Sequence, residues 1–266
     1  MHRRGRILGL VLSLVPFGLA RAQSEATARR GVDVRVISAG TIDGSYFVSY
    51  RVRNAKGSGR QLWSFTVEAP GGPLQVEAPA PPCRWSVSTR FGSMPTARWV
   101  LREALLAPGA ETPELRFQAA GVPGIVPFYA GWYWDGPGEA PIERIRVSQE
   151  EDALSAHAVR GVTVGIVPIP ANTAPGPLIE RVRALRRRAC ALRWIDSLEV
   201  CTVLEAKLGR AALLLELDQA AAARDVLAAF LDEIERRRGL ATGTPINDSA
   251  YWLLRTNVEY LLGRMR

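Results

Sequence analysis

The spacing of apolar residues changes once along this chain, near residue 170, from a period of two to a period of about 3.6. Alternation of apolar and polar residues before that point is typical of β-strands that bury one face. Recurrence at every third or fourth position after it is typical of amphipathic helices. The sequence therefore predicts an α+β two-domain chain: an antiparallel β-sandwich at 30–168, a proline-rich linker at 169–177 and a small four-helix bundle at 178–266.

Short runs bounded by glycine or proline predict the strands of the sandwich. In the clearest run, 46–53, tyrosine and valine alternate with other residues. The next run, 62–68, follows a glycine-containing turn and is predicted to form a hairpin with it. Its residues Trp63, Phe65 and Val67 are predicted to share one face. The other predicted strands are 32–37, 74–77, 84–87, 97–101, 114–119, 125–134, 142–147 and 162–167.

The aromatic run at 128–134 offers a candidate ligand surface. One of its faces must enter the core, which leaves at most one for a ligand. Exposed tryptophan and tyrosine rings stack on sugar rings, so Trp132, Tyr133 and Trp134 are candidate glycan contacts. The alternative is that both faces pack, one in the core and one beneath a neighbouring helix or linker. Alternation places Phe128, Ala130, Trp132 and Trp134 on one face, and Tyr129, Gly131 and Tyr133 on the other.

Residues 1–22 are predicted to be a signal peptide. Three arginines precede an apolar stretch of about 13 residues, which ends in the small-x-small cleavage site Ala20-Arg21-Ala22. The alternative is an uncleaved membrane anchor, although the stretch is short for a membrane span. No later segment has about 18 unbroken apolar residues, so no transmembrane segment is expected after signal cleavage. The mature protein is expected to be secreted or periplasmic.

Charge gives a weaker indication of partners. Removal of the four arginines in 1–22, a segment without acidic residues, lowers the formal net charge from +8 to +4. This excess is modest, and an exported chain is not expected to bind nucleic acid. The arginine runs 186–188 and 236–238 could contact phosphate or an acidic polysaccharide. The alternative is that both are solvated helix faces, the second lying in a last helical turn where cations are favoured.

Four helices are predicted after Pro177, which suits a first helical turn. Asp196-Ser-Leu-Glu199 predicts a capping box at the start of the second helix. One-sided helices bury their apolar stripes against one another, so the four are predicted to share a small core. The stripes are Leu178, Val182, Leu185, Ala189 and Leu192; Leu204, Leu208, Ala211 or Ala212, and Leu215; Ala223, Leu227, Phe230 and Ile234; and Tyr251, Leu254, Val258, Leu261 and Met265.

The cysteines suggest one disulfide. Cysteines of exported proteins tend to pair, and this chain has Cys83, Cys190 and Cys201. If the first two helices are antiparallel about a turn centred between residues 195 and 196, Cys190 and Cys201 lie equally far from it and face each other. A Cys190–Cys201 disulfide is therefore predicted, with Cys83 unpaired and buried. The alternative is two small apolar thiols in the bundle core.

Residue types that support catalysis are scarce. Histidine occurs only as His2 and His157, which excludes a histidine-rich metal site and leaves His157 as the one histidine of the mature chain. The adjacent acidic residues 150–152 do not match the two separated carboxylates of glycoside hydrolysis. The sequence contains no Gly-rich phosphate loop, CxxC or HExxH pattern. No catalytic residue, metal ligand or cofactor is predicted.

The helical half contains spaced blocks at Lys207-Leu208 with Ala211, Asp218–Ala222, Ala229–Ile234 before Gly239, Trp252–Leu254 with Asn257, and Tyr260–Leu262. Through these blocks, residues 176–266 resemble the FIMAH domain, a helical domain at the C-terminal ends of secreted bacterial proteins. The resemblance implies an accessory module without a catalytic role. Less closely, 46–54 and 121–125 resemble the sandwich domain that often precedes it. The two helical cysteines are a departure from the family pattern.

Together these features predict an exported, non-catalytic interaction protein or cell-envelope accessory protein. Its ligand is not identified by the sequence, although a cell-surface protein or a polysaccharide suits an exported chain. The alternative is a carbohydrate-binding module that uses the aromatic residues of the sandwich.

Overall fold

A computed structural model of the protein describes residues 31–81, 84–102, 105–133, 158–238 and 245–265. These residues form nine strands followed by four helices. The strands are β1 (Val32–Ile42), β2 (Ser45–Asn54), β3 (Leu62–Glu68), β4 (Pro73–Val76), β5 (Trp85–Phe91), β6 (Met94–Leu101), β7 (Leu115–Ala119), β8 (Val122–Trp132) and β9 (Ala158–Val167). The helices are α1 (Pro175–Ala191), α2 (Leu198–Glu216), α3 (Ala220–Arg238) and α4 (Asp248–Arg264).

The strands form two antiparallel sheets around one core. The first sheet has the order β1-β2-β7-β4, and the second has the order β5-β6-β3-β8-β9. Apolar residues of both sheets belong to the same buried cluster. The predicted fold class, an antiparallel sandwich followed by a small helical bundle, is confirmed. The predicted strand at 142–147 lies outside the described residues.

The predicted hairpin between 46–53 and 62–68 is wrong. β2 pairs with β1 and β7 in the first sheet, whereas β3 pairs with β6 and β8 in the second. The connection at 55–61 therefore crosses from one sheet to the other. Both strands present large rings to the core, and the ring centres of Tyr50 and Phe65 lie 5.7 Å apart. Because β2 and β3 lie in opposite sheets, the apolar faces of both strands are buried in the core between the sheets.

Large aromatic rings fill the centre of the sandwich. The rings of Phe65 and Trp99 stack with their centres 5.9 Å apart. The polar groups of two central rings form hydrogen bonds with backbone carbonyls. The Tyr50 hydroxyl donates to the Val164 carbonyl at 2.6 Å, and the Trp99 indole N–H donates to the Glu77 carbonyl at 2.8 Å. Burial raises the pKa of Tyr50. The central rings are Tyr50, Phe65, Trp99, Phe117 and Phe128.

The four helices share a second core, as their one-sided stripes predict. The start of α2 differs from the predicted capping box by one residue. Ser197 is the N-cap, and its hydroxyl accepts a hydrogen bond from the Val200 N–H at 3.3 Å. The backbone N–H of Asp196 instead donates to the Pro245 carbonyl at 2.8 Å. This pairing keeps Asp196 outside the helix, so the capping role passes to Ser197.

The structure brings the two helical cysteines together. The sulfur atoms of Cys190 in α1 and Cys201 in α2 are 2.03 Å apart, and the Cα atoms are 6.3 Å apart. The bridge joins two antiparallel neighbours close to the short turn between them. Cys83 lies outside the described residues.

Loss of this bridge is expected to destabilise the protein by about 2–3 kcal/mol, because a crosslink between residues separated by 11 positions restricts the unfolded chain. The test compares urea unfolding of the wild type with that of Cys190→Ser and Cys201→Ser. Intact mass should rise on reduction by the mass of two hydrogen atoms in the wild type and in Cys83→Ser, but not in the other two variants. Alkylation of all three thiols in unfolded, unreduced protein would contradict the bridge.

The last helix packs against the sandwich as well as against the other helices. α4 contacts β1, β8 and β9, and Leu253 is fully buried in the sandwich core. The Trp252 indole N–H donates to the Ile37 carbonyl at 3.1 Å, and the Asn257 side-chain amide donates to the Pro123 carbonyl at 2.9 Å. β1 and β9 are edge strands of their sheets. α4 therefore lies against edges that would otherwise be open to a further strand.

Candidate functional site

A line of charged and aromatic side chains crosses the outer face of the second sheet. Strand register places Arg98 of β6, Thr66 of β3, Tyr129 of β8 and Arg160 of β9 side by side. On each strand at least one adjacent residue belongs to the sandwich core, so these four side chains point away from it. Three strand spacings separate the two arginines, about 14 Å between Cα atoms. These four residues are termed the outer row.

Arg98 is held between two aromatic rings. Its guanidinium carbon lies 5.4 Å from the centre of the Trp63 ring and 4.6 Å from the centre of the Phe91 ring. Gly131 makes room for this arrangement, because a Cβ atom there would lie 2.8 Å from the Trp63 indole nitrogen. Both rings make cation–π contacts with the guanidinium, and these contacts orient the Arg98 side chain on the outer face of the sheet.

The outward position of Trp63 corrects the sequence prediction for β3. The prediction that Trp63, Phe65 and Val67 share one face is wrong. A register shift between Leu62 and Ser64 marks a β-bulge opposite β8, and Leu62, Phe65 and Val67 are the residues that enter the core. A bulge inserts one extra residue and reverses the direction of the side chains on one side of it. Trp63 thereby reaches Arg98.

The other half of the outer row is built around Tyr129. Its hydroxyl donates to the Glu68 carboxylate at 2.8 Å, and the Arg160 guanidinium carbon lies 5.6 Å from the centre of its ring. Tyr129 is only 2% exposed, whereas Arg160 is exposed. The Thr66 hydroxyl is buried and has no hydrogen-bond partner among the described residues. The row with Glu68 carries one net positive charge.

The predicted glycan contacts occupy different environments. Trp132 is half-buried and packs against the sandwich core. Tyr133 is 48% exposed, and its backbone N–H donates to the Gln61 carbonyl at 2.8 Å. Trp134 lies outside the described residues. Phe128 and Tyr129 are buried on opposite sides of β8, as the packing alternative predicts for this part of the run.

The second arginine run is paired with carboxylates at the surface of the bundle. Arg186 of the first run is buried and pairs with Glu205. These contacts favour a structural role for both arginines and carboxylates. The pairs of the second run are Arg236 with Glu233 at 2.6 Å, Arg237 with Glu233 at 2.9 Å and with Glu199 at 3.0 Å, and Arg238 with Asp248 at 3.0 Å.

These ion pairs predict acid sensitivity. Burial opposes ionisation of Glu205, but the neighbouring Arg183 and Arg186 outweigh it, so the pKa of Glu205 is lowered. The hydrogen bond from Arg236 is the largest cause of a lowered pKa at Glu233. Because the folded-state pKa values lie below those of the unfolded chain, these groups stabilise the fold above the usual glutamate pKa of about 4.3. That contribution is lost as the pH falls through the folded-state values.

Urea midpoints measured between pH 7 and pH 3 test this expectation. The midpoint should fall steadily below about pH 4.5, and less steeply in a Glu205→Gln Glu233→Gln double variant. An unchanged midpoint across this range would contradict the prediction.

Within the described ranges, no set of three or more His, Cys, Asp and Glu side chains is close enough to hold a metal ion. No helix in the described part of the chain is long and apolar enough to cross a membrane. His157 and the acidic residues 150–152 lie outside the described residues.

The outer row could not be found from the sequence alone. Arg98 alternates with the core residues Ala97 and Trp99, which marks it as outward-facing. Arg160 falls outside the predicted strand 162–167, although β9 begins at Ala158. Finding the outer row also requires the pairing order of β6, β3, β8 and β9, which the local pattern does not contain.

The chain matches no protein-family model and no curated protein. Among solved structures, it is similar to an uncharacterized protein from Nocardia farcinica with an immunoglobulin-like fold, at 14% sequence identity and a TM-score of 0.32. The match covers 52% of this chain and 98% of that one. The resemblance of 176–266 to the FIMAH domain stays a prediction.

Proposed function

We propose that the protein is an exported, non-catalytic interaction protein of the cell envelope, which binds its partner on the outer face of the second sheet. The observation that carries the proposal is the outer row. Two arginines from distant parts of the sequence are stacked on aromatic rings on the side of the sheet away from the core. Arg160 is exposed on this face, where its guanidinium can contact a partner.

Export is proposed from the leader-like segment at 1–22, and the helical part is proposed to be a FIMAH-like accessory module. Two structural features support an accessory role for the helices. The arginines of 236–238 are already paired with carboxylates, and α4 packs against edge strands of both sheets. In this proposal the helices stabilise the sandwich, and the sandwich presents the ligand site.

Cell fractionation tests the proposed export. The full-length chain, expressed in the organism that encodes it, is expected outside the cytoplasm with Gln23 as its first residue. Retention of the uncleaved chain in the cytosol would contradict export.

Co-sedimentation with washed envelope material from the same organism tests the interaction. The mature chain is expected to sediment in a saturable way and to leave the envelope polymers chemically unchanged. A bundle variant that keeps the outer row, Arg210→Ala, should sediment like the wild type. No sedimentation of the wild type, or cleavage of the polymers by it, would overturn the proposed function.

The alternative function is a carbohydrate-binding module that uses Trp132, Tyr133 and Trp134. The exposed ring of Tyr133 is the observation that favours it. A panel of neutral polysaccharides should then quench the tryptophan fluorescence of the wild type but bind the Tyr133→Ala variant more weakly. Equal binding by both proteins would overturn this alternative.

A further inference from the structure

The side of α2 that points away from the bundle core carries exposed apolar side chains. Leu198 is 85% exposed, Leu213 is 55% exposed and Leu217, the C-cap, is 57% exposed. These leucines belong to a run of six positions spaced by three or four residues, which lie within an arc of about 100° on one side of the helix. The six positions are termed the α2 stripe: Leu198, Thr202, Ala206, Gly209, Leu213 and Leu217.

The polar groups near the α2 stripe lie at its edges or are already bonded. The Thr202 hydroxyl donates to the backbone carbonyl four residues earlier at 2.9 Å. Charged residues border the stripe, with Glu199 and Arg210 along one edge and Glu205 and Glu216 along the other. An apolar centre with a polar rim is typical of an interface between proteins.

The glycine at the middle of the stripe is not required by the packing of the chain itself. A Cβ atom at Gly209 would meet nothing within 4 Å, and the residue lies inside the regular helix α2. Glycine in a helix interior is less favourable than alanine. Together with Ala206, one turn earlier, Gly209 leaves a shallow depression between the leucines at the two ends. A small residue of this kind permits the close approach of another backbone.

The stripe is nearly symmetric from end to end. Its successive spacings are four, four, three, four and four residues, with leucine at both ends and the two smallest residues at the centre. A two-fold interface requires a surface that complements itself. In an antiparallel pair of identical stripes, the positions that face each other are Leu198 and Leu217, Thr202 and Leu213, and Ala206 and Gly209.

The area of the stripe indicates how strong such a pairing can be. A strip about 28 Å long and about 10 Å wide presents roughly 300 Å² on each copy. An exposed apolar patch of a few hundred Å² commonly marks an interaction site. Two such strips bury roughly 600 Å², less than the about 1,200–2,000 Å² of stable complexes, so the pairing is expected to be weak and reversible.

We infer that the α2 stripe binds the same stripe of a second copy of this chain, in an antiparallel, two-fold arrangement. The helices approach most closely at Ala206 and Gly209, and the leucines at both ends complete the contact. This dimer goes beyond the proposed function, because the stripe lies on the helical part of the chain and contains no residue of the outer row.

Sedimentation velocity of the mature chain, 23–266, tests the inference. The sedimentation coefficient is expected to rise from that of a monomer toward that of a dimer between about 1 µM and about 300 µM. Leu213→Glu places a charge in the apolar contact twice per dimer and is expected to raise the dissociation constant at least about tenfold. Leu74→Glu is the matched control, because Leu74 is a 63% exposed leucine on β4. It should leave the dissociation constant within about twofold.

Gly209→Leu separates close helix packing from general adhesion of apolar surfaces. The added side chain enlarges the apolar surface but fills the depression at the centre of the stripe. Close packing therefore predicts a dissociation constant raised at least about tenfold. General adhesion predicts tighter association instead. The exposed site and the higher helix propensity of leucine should keep the variant folded, which its far-UV circular dichroism checks.

A mixture of Thr202→Arg with Leu213→Glu tests the antiparallel orientation. Each variant alone is expected to dimerise weakly. In an antiparallel pair made of one copy of each, the new arginine faces the new glutamate, and the unchanged Leu213 faces the unchanged Thr202. The mixture should therefore dimerise more tightly than either variant alone. A parallel pair would not show this recovery, because the new arginine would face an unchanged threonine.

Four results would overturn the inference. The first is a wild type that stays monomeric at every concentration. The second is equal weakening by Leu74→Glu and Leu213→Glu, because association would then respond to added charge at any position. The third is unchanged or tighter association of Gly209→Leu, and the fourth is a mixture that dimerises no better than its components.

Discussion

Replacement of Trp99 by alanine is expected to lower the free energy of unfolding by about 3–5 kcal/mol. Trp99 has no exposed surface, stacks on Phe65 and meets Tyr50 and Phe117 edge-on at 6.3 Å and 6.5 Å. Alanine would remove these contacts and leave a cavity between two sheets whose backbones are fixed by their own hydrogen bonds. Urea unfolding followed by far-UV circular dichroism measures the loss.

Two further variants separate the causes of that loss. Trp99→Phe keeps a ring against Phe65 but removes the indole N–H that donates to Glu77, so a smaller loss of about 1–2 kcal/mol is expected. Tyr133→Ala truncates a half-exposed ring of the same sheet and should change stability by less than about 0.5 kcal/mol. If Trp99→Ala were no more destabilising than Tyr133→Ala, the aromatic cluster would not hold the two sheets together.

The strands could be predicted because alternation is a local property of the chain. The run 62–68 coincides with β3, Leu62–Glu68, because glycine and charged residues mark both of its ends. The partners of β3 could not be predicted in the same way. Two strands that follow each other in the sequence can pair in one sheet or lie in opposite sheets. The outcome depends on how the apolar faces of all strands pack together, which is a property of the whole sandwich.

The candidate site depends on two features that the local pattern does not carry. The bulge between Leu62 and Ser64 turns Trp63 outward, and nothing in the alternation of β3 signals the extra residue. The outer row also requires β6, β3, β8 and β9 to align in one register. The Cys190–Cys201 pair could be predicted because the two cysteines are close in the sequence. One short turn between antiparallel helices is enough to bring them together.

The fourth helix has a second contact surface that a prediction of one apolar stripe does not include. The predicted stripe includes Leu254, Val258 and Leu261, which enter the bundle core. Leu253 is just as apolar, but it enters the sandwich core. A helix with apolar residues around a wide arc has more than one neighbour to pack against. The sequence of α4 contains this wide apolar arc, but it does not identify the second neighbour.

Replacement of Leu253 by alanine is expected to lower the free energy of unfolding by about 2–5 kcal/mol and to loosen the junction between α4 and the sandwich. Leu253 is fully buried on the side of α4 that meets the sheets, beside Trp252, whose indole N–H donates to the Ile37 carbonyl. The truncation would leave a cavity at this contact. Amide hydrogen exchange of peptides covering β1 should therefore accelerate together with that of α4.

Leu261→Ala is the matched comparison, because Leu261 is an equally buried leucine on the same helix that belongs to the bundle core. It should lose a similar free energy of unfolding, but its cavity lies among helices, so local opening of β1 should change little under native conditions. If Leu253 couples α4 to β1, amide exchange in β1 should be faster in Leu253→Ala than in Leu261→Ala. If both accelerated it equally at the same loss of global stability, β1 would be responding to unfolding of the whole protein, and the packing of α4 on its edge would contribute no protection of its own.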